Sequence, residues 1–164
     1  MEQKVYDLLN ELSIEFEVVQ HPPLFTCDDN DKYNVNLLDG VNCKNLFIRN
    51  KDKSQYYLVS LPVSDVAKRL DLKNLQEELG ESKLSFGNEI ALGEKLSIKT
   101  GAVSIFNIVN SPETDVIFLL DKEILNYDKI CFHPNVNTAT IVLSPNEIEK
   151  ILKYCSVEYK FIKL

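Results

Sequence analysis

Three short stretches hold residue types able to do chemistry. Near the C-terminal end, "CFHPNVNTATIVLS" (131–144) sets a cysteine and a histidine two residues apart, then two asparagines and two threonines, at the mouth of an apolar run. If a strand continues through Cys131 and His133 they share a face, and a thiolate–imidazole pair is geometrically possible. Free cysteine is more often core, so a small buried hydrophobe beside a turn histidine is the competing reading. In "CKNLFIRN" (43–50), Lys44 and Asn45 open a largely apolar strand, where they either face solvent or line a cleft. In "KTGAVSIFNIVN" (99–110), Gly101 and Ala102 let a substrate approach the backbone. Consecutive N–H groups there can hold an oxyanion or a carbonyl, although a plain loop before a strand explains the same residues.

The common catalytic signatures are missing. There is no G-x-G-x-x-G, no P-loop, no G-x-S-x-G and no H-E-x-x-H, and nothing marks a particular serine for a triad. The cysteines are Cys27, Cys43, Cys131 and Cys155; they form no C-x-x-C pair, and reduced thiols are expected. No spacing of these with His21 and His133 supports zinc, so neither a metal nor another cofactor is expected.

The elements that must position these residues read as follows. Val5, Leu8, Leu9 and Leu12 recur at helical spacing in Glu2–Leu12. "FEVVQ" is a strand stopped by Pro22-Pro23. "FTCDDNDKYNVNLL" starts near Thr26, a plausible N-cap, but its Asp and Asn content weakens a helix. "CKNLFIRN" and "QYYLVSLP", joined by "KDKS", form a hairpin. Asp71 caps "LKNLQEEL" and Gly80 ends it; Ser85 precedes a second amphipathic segment, "NEIALGEKL". "DVIFLLD" is a buried strand, "KEILNY" about one helical turn, and "KICF" and "TATIVL" a second strand pair. Ser144-Pro145 opens the helix "NEIEKILKYC", and "VEYKFIKL" closes as a strand. Short turns join several strand neighbours, which favours an α+β fold over a doubly wound sheet: one domain, 1–164, with a mixed β-sheet packed with helices.

A net charge of −7 with scattered lysines and arginines argues against gripping DNA or long RNA through many phosphates, but leaves contact with a small part of a nucleic acid open. No apolar run approaches the roughly 18 residues that cross a bilayer, and the first residues lack a signal-peptide core. A cytoplasmic protein without a membrane partner is expected.

Taken together, "HPPLFT", "KNLFIRNKDKSQYYLVSLP", "KRLDLKNLQEELGESKLSFGNE", "TGAVSIFNIVN" and "CFHPNVNTATIVLSP" occur in an order and spacing that resemble the YbaK/ProX family of aminoacyl-tRNA editing domains. Each fragment alone is weak; the ordered set covers nearly the whole chain. It is most similar to the free-standing prolyl-tRNA editing branch, rather than the cysteinyl-tRNA deacylase branch. The resemblance implies an α+β deacylase that hydrolyses the ester of mischarged tRNA(Pro) in trans, releasing alanine. The alternatives it leaves are a Cys-tRNA(Pro) deacylase and a catalytically weakened homologue that binds aminoacyl-tRNA or a synthetase. The implied partners are the tRNA(Pro) acceptor end and, beyond it, prolyl-tRNA synthetase or an elongation factor.

By the same resemblance, the editing-pocket lysine falls on Lys44, with Asn45 beside it, and the glycine-led G-x-x-x-P loop on Gly101 to Ile105. The histidine of F-H-P falls on His133, followed by Pro134 and Asn135, and a small-side-chain pocket draws on Leu24, Thr26 and Leu46. The working groups are then Lys44 and the Gly101 and Ala102 backbone, with Leu24, Thr26, Asn45, Leu46, Ile105, His133 and Asn135 binding substrate. The sequence departs from the family at Ile105, which stands where proline is usual. Losing proline there frees the loop by about 0.5–1 kcal/mol of unfolded-state entropy.

Overall fold

The computed structural model describes residues 1–24, 39–63 and 70–164. Thr26, the "FTCDDNDKYNVNLL" stretch and Lys68-Arg69 lie outside the described residues.

Helix α1 (Glu2–Glu11) buries Val5, Leu8 and Leu9 at helical spacing. Strand β1 (Phe16–Gln20) stops just ahead of Pro22-Pro23. Strands β2 (Val41–Asn50) and β3 (Tyr56–Pro62) form the expected hairpin, in register from Cys43↔Pro62 to Arg49↔Tyr56. Helix α2 (Leu72–Leu79) begins where the Asp71 carboxylate accepts from the N–H groups of Lys73 and Asn74, and ends at Gly80 with φ +68°. Strand β4 (Leu84–Phe86) and helix α3 (Glu89–Leu96) follow. After a 3₁₀ helix at Ile105–Asn110 come β5 (Ile117–Asp121), a 3₁₀ turn at Lys122–Asn126, β6 (Ile130–Phe132) and β7 (Ala139–Leu143). Helix α4 (Asn146–Tyr154) and β8 (Tyr159–Ile162) close the chain.

The strands form one sheet in the order β1-β7-β6-β2-β3-β5-β8, with β4 paired to β2. It is mixed: β2–β6, β3–β5 and β5–β8 are parallel, the other pairs antiparallel. Side chains alternate across it, so each strand serves two cores. Leu58, Phe118, Leu120, Ile130, Phe132, Ile141 and Leu143 meet α1, α3, α4 and the Ile105–Asn110 helix on one face. Ile48, Tyr57, Val59, Leu61, Leu119 and Ile162 meet Leu75 of α2 on the other.

Ser85, in β4, precedes α3, and Asn88 caps that helix, its side chain accepting from the Ala91 N–H at 2.9 Å. One expectation needs correcting. The apolar run after Gly101 is not a strand but the 3₁₀ helix: Ser104 caps it, and Ile105, Phe106 and Ile108 are fully buried. Their spacing of one and three residues suits a short helix lying flat on the sheet, with Phe106 edge-on to Phe132 at 6.2 Å between ring centres.

Candidate active site

The site begins where β2 changes partners. Its parallel pairing with β6 comprises Val41↔Ile130 and Asn42↔Cys131; from Cys43 onward the antiparallel register with β3 takes over, and β6 ends at Phe132. Two residues beyond the last parallel pair stand Lys44 on one strand and His133 on the other. Paired residues share a face and side chains repeat every second residue, so Lys44 lies on the face that Asn42 and Cys131 share, and His133 leaves the sheet directly after β6. Leu46, next on that face of β2, packs against the smaller core. Lys44 is exposed and has no hydrogen-bond or ion-pair partner among the described residues.

Asn45 points the other way. Its Oδ1 accepts a 2.6 Å hydrogen bond from the fully buried Ser60 hydroxyl, and its amide nitrogen reaches the Cys43 carbonyl at 3.5 Å. It braces the strand from the face opposite Lys44.

His133 is oriented from behind. Its Nδ1 faces the Ala139 carbonyl at 3.0 Å, and a carbonyl can only accept, so Nδ1 carries the proton. In the neutral ring Nε2 keeps its lone pair, with no hydrogen-bond partner among the described residues. Burial holds the His133 pKa below the ordinary 6.5; the Ala139 carbonyl pulls it back up, and neighbouring His21 pushes it down. His21 stands edge-on to His133, 6.0 Å between ring centres, its own nitrogens committed to the Pro22 carbonyl and the Thr140 hydroxyl at 2.9 Å each.

Leu24, buried, is tied to the same turn: its N–H donates to the Asn137 carbonyl at 3.0 Å, and the Asn137 side chain returns a bond to the Leu24 carbonyl at 3.2 Å. The glycine loop arrives from the other side. Gly101 is exposed, with φ +90° and nothing within 4 Å of where a Cβ would sit. The Ala102 N–H is turned to the Lys99 carbonyl at 3.3 Å, so the amides without a partner among the described residues are those of Gly101 and Val103, rather than two consecutive ones.

Ile105 and Asn135 present no surface of their own, at 0% and 1% exposure. Ile105 is the first residue of the 3₁₀ helix, and its side chain joins the larger core. Asn135, held at φ +63°, bonds through its side chain to the Phe106 carbonyl and to Asn107. Cys131 is core: burial first, then the charges of Asp39 and Glu17, push its thiol up to about 12, so at neutral pH it is no thiolate. Hydrogen bonds thus tie Leu24 and, through Asn135, the Gly101 loop to the turn that carries His133, while Lys44 stands on β2 just past its pairing with β6. Asn45 is turned away.

Sequence reasoning missed His21 and Asn107. The signal for Asn107 was present, since Ser104-x-x-Asn107 is a variant of the capping-box spacing. Among the described residues no cluster of three or more His, Cys, Asp or Glu side chains has metal-binding geometry. A surface cleft of about 480 Å³, lined by Glu94, Lys95 and 111–115, shares no residue with this site.

Comparison with known proteins bears on the family and the fold. The sequence pattern of the aminoacyl-tRNA editing domain matches residues 21–151, a span that includes Lys44, the Gly101 loop and His133. The chain is 37% identical over 162 residues to the prolyl-tRNA editing protein ProX of Acetoanaerobium sticklandii, covering 99% of this chain and 96% of that one. It is 35% identical over 143 residues to the prolyl-tRNA synthetase associated domain-containing protein 1 of Mus musculus, covering 85% and 82%. In fold it is similar to the crystal structure of the hypothetical protein APE2540, with a TM-score of 0.74 at 16% identity over 96% and 97% of the two chains. It is also similar to that of a candidate trans-editing enzyme for prolyl tRNA synthetase, at 0.68 and 18% over 99% and 96%. By its sequence and its mixed α+β sheet, the chain belongs to the family of aminoacyl-tRNA editing domains.

Proposed function

We propose that this protein hydrolyses the ester joining a mischarged amino acid to tRNA(Pro), acting in trans on the acceptor end, and that the amino acid released is alanine. The observation that carries the reading is that Lys44 and the His133 Nε2, each without a partner among the described residues, directly follow one parallel strand pairing, while Asn107 and Asn135 tie the Gly101 loop to the His133 turn. Near-full-length similarity to a prolyl-tRNA editing protein supports the choice of tRNA.

An aminoacyl ester is intrinsically labile, so the chain has mainly to position it and stabilise charge. Water adds to the ester carbonyl; the bond to the ribose oxygen then breaks, leaving a free amino acid and an uncharged tRNA end. The Gly101 and Val103 amides suit the carbonyl oxygen as it gains charge. The Lys44 ammonium suits that oxygen or a terminal phosphate. The His133 Nε2, an acceptor, suits the substrate's amino group or the attacking water. Leu24 and Leu46 suit the walls of a pocket for a small side chain, which rejects larger residues sterically. A net charge of −7 fits a protein that touches little beyond the terminal nucleotides and draws further affinity from prolyl-tRNA synthetase or an elongation factor.

The test is a deacylation panel of alanyl-, cysteinyl- and prolyl-tRNA(Pro). Alanine should be released fastest and proline retained. Faster release of cysteine would overturn the choice of amino acid, and no release from any of the three at high protein concentration would overturn the reading itself.

A further inference from the structure

The two loops that carry the site are joined by two buried asparagines. The Asn107 Oδ1 accepts from the Ser104 N–H at 2.8 Å, while its Nδ2 donates to the Ala102 carbonyl at 3.0 Å and to the Asn135 Oδ1 at 2.7 Å. The Asn135 Nδ2 donates to the Phe106 carbonyl at 2.9 Å. Backbone groups fix the orientation of both amides. An N–H can only donate to Asn107 on one side and a carbonyl can only accept from it on the other, and the Phe106 carbonyl does the same for Asn135. One consistent network results. Asn107 is fully buried, and together the two side chains make four hydrogen bonds.

We infer that the Asn107–Asn135 amide pair is the positioning element of this site: it locks the Gly101–Ser104 loop against the His133 turn and does the stiffening for which a proline at 105 would otherwise serve. The inference rests on the proposed deacylase reading for what is positioned, but the lock is a matter of geometry. Asn107 bonds to the loop on both sides of Val103, at Ala102 and Ser104, so the span bearing the free Val103 amide is held at both ends. Asn135 lies two residues after His133, at a positive φ that asparagine tolerates better than most residues. Ile105 occupies the first position of the 3₁₀ helix, where the N–H has no intrahelical acceptor, and Ser104 before it is extended at φ −154° and ψ 157°. Both conditions suit proline. Here the backbone geometry is kept by side-chain amides, and Ile105 is spent on the core.

The test compares wild type with Asn107→Ala, Asn135→Gly and the double variant Asn107→Ala/Ile105→Pro, reading amide hydrogen exchange and deacylation of mischarged tRNA(Pro). Glycine at 135 keeps the positive φ without strain, so Asn135→Gly carries the prediction should Asn107→Ala not fold. In both single variants exchange at residues 101–104 should quicken roughly tenfold, with β5 still protected. The kcat should fall on the order of 10- to 100-fold with little change in KM, as expected when reacting groups are misplaced. Ile105→Pro should restore part of the lost kcat in the Asn107→Ala background. Unchanged exchange at 101–104 overturns the lock, as does equal acceleration throughout the sheet, which would mark a merely structural pair. Faster loop exchange with unchanged kcat overturns the positioning role, and failure of proline to restore any activity overturns the equivalence with proline. If wild type hydrolyses no mischarged tRNA, the proposed function fails, while the exchange measurements still decide the lock.

Discussion

The two ends of β2 are built from similar residues to opposite purposes. At the hairpin end, Asn50 is buried and fully engaged: its Oδ1 accepts from the N–H groups of Ser54 and Gln55, and its Nδ2 donates to the Ser54 hydroxyl. Glu81 closes the group by accepting from the Tyr57 hydroxyl at 2.7 Å, and burial together with that carboxylate raises the tyrosine well above its ordinary range. At the other end stands Lys44, and in the site proposed around it Lys44, the His133 Nε2 and the amides of Gly101 and Val103 have no partners among the described residues. Hydrogen bonds completed within the chain hold the turn. Hydrogen bonds left open on a rigid frame are what a substrate can complete.

That contrast can be broken from either side. Lys44→Ala should give the largest effect, a fall in kcat/KM on the order of 100-fold, the size seen when a group stabilising developing charge is removed. Because Lys44 is exposed and has no partner among the described residues, stability in urea should stay within about 0.5 kcal/mol. Asn50→Ala should do the reverse, costing about 1–2 kcal/mol by removing the acceptor of two part-buried turn bonds while kcat is unchanged. A loss of activity at equal stability in that variant would dissolve the distinction between the two ends. His133→Ala should lower discrimination between alanyl- and prolyl-tRNA by roughly tenfold. Unaltered selectivity and rate there would remove the histidine from the site.

The smallest effect is a pH dependence of stability. The folded His133 holds its proton less tightly than the unfolded chain, whose histidine titrates near 6.5. Between the lowered folded pKa and 6.5 the unfolded state binds more protons, so stability rises with pH across that window and is lost as pH falls through it. Denaturant melts from pH 5 to 7.5 should show this slope in wild type and a shallower one in His133→Ala. Equal slopes would place the titration elsewhere.

Much of the frame was legible in the sequence, because caps and alternation are local. Asp71 and Gly80 bracket α2 as their chemistry requires, and "KDKS" between apolar runs marks the hairpin. The parts that escaped depend on tertiary partners. Phe106 and Ile108 look like strand residues until Ser104 and Asn107 close a cap around them. Leu84–Phe86 is a strand only because β2 lies beside it. Lys44, Gly101 and His133 stand out by residue type, but only the resemblance to a family implies roles for them; pattern alone leaves Lys44 between solvent and a cleft. Asn107 escaped because an asparagine in an apolar run looks like a loop residue until its acceptors and donors, 3 to 28 positions away, are in place.

The strand order carries a consequence for synthesis. β7 is threaded between β1 and β6, and both of these leave the ribosome before it. His21 reaches its Thr140 partner, and His133 its Ala139 carbonyl, only after β7 has been inserted. Such distant pairings form late because long loops must close first. A nascent chain that stops before residue 139 can form the β2–β3 hairpin and α2, but not the seat of the histidine. The seat of both histidines is therefore completed only once β7 is in place.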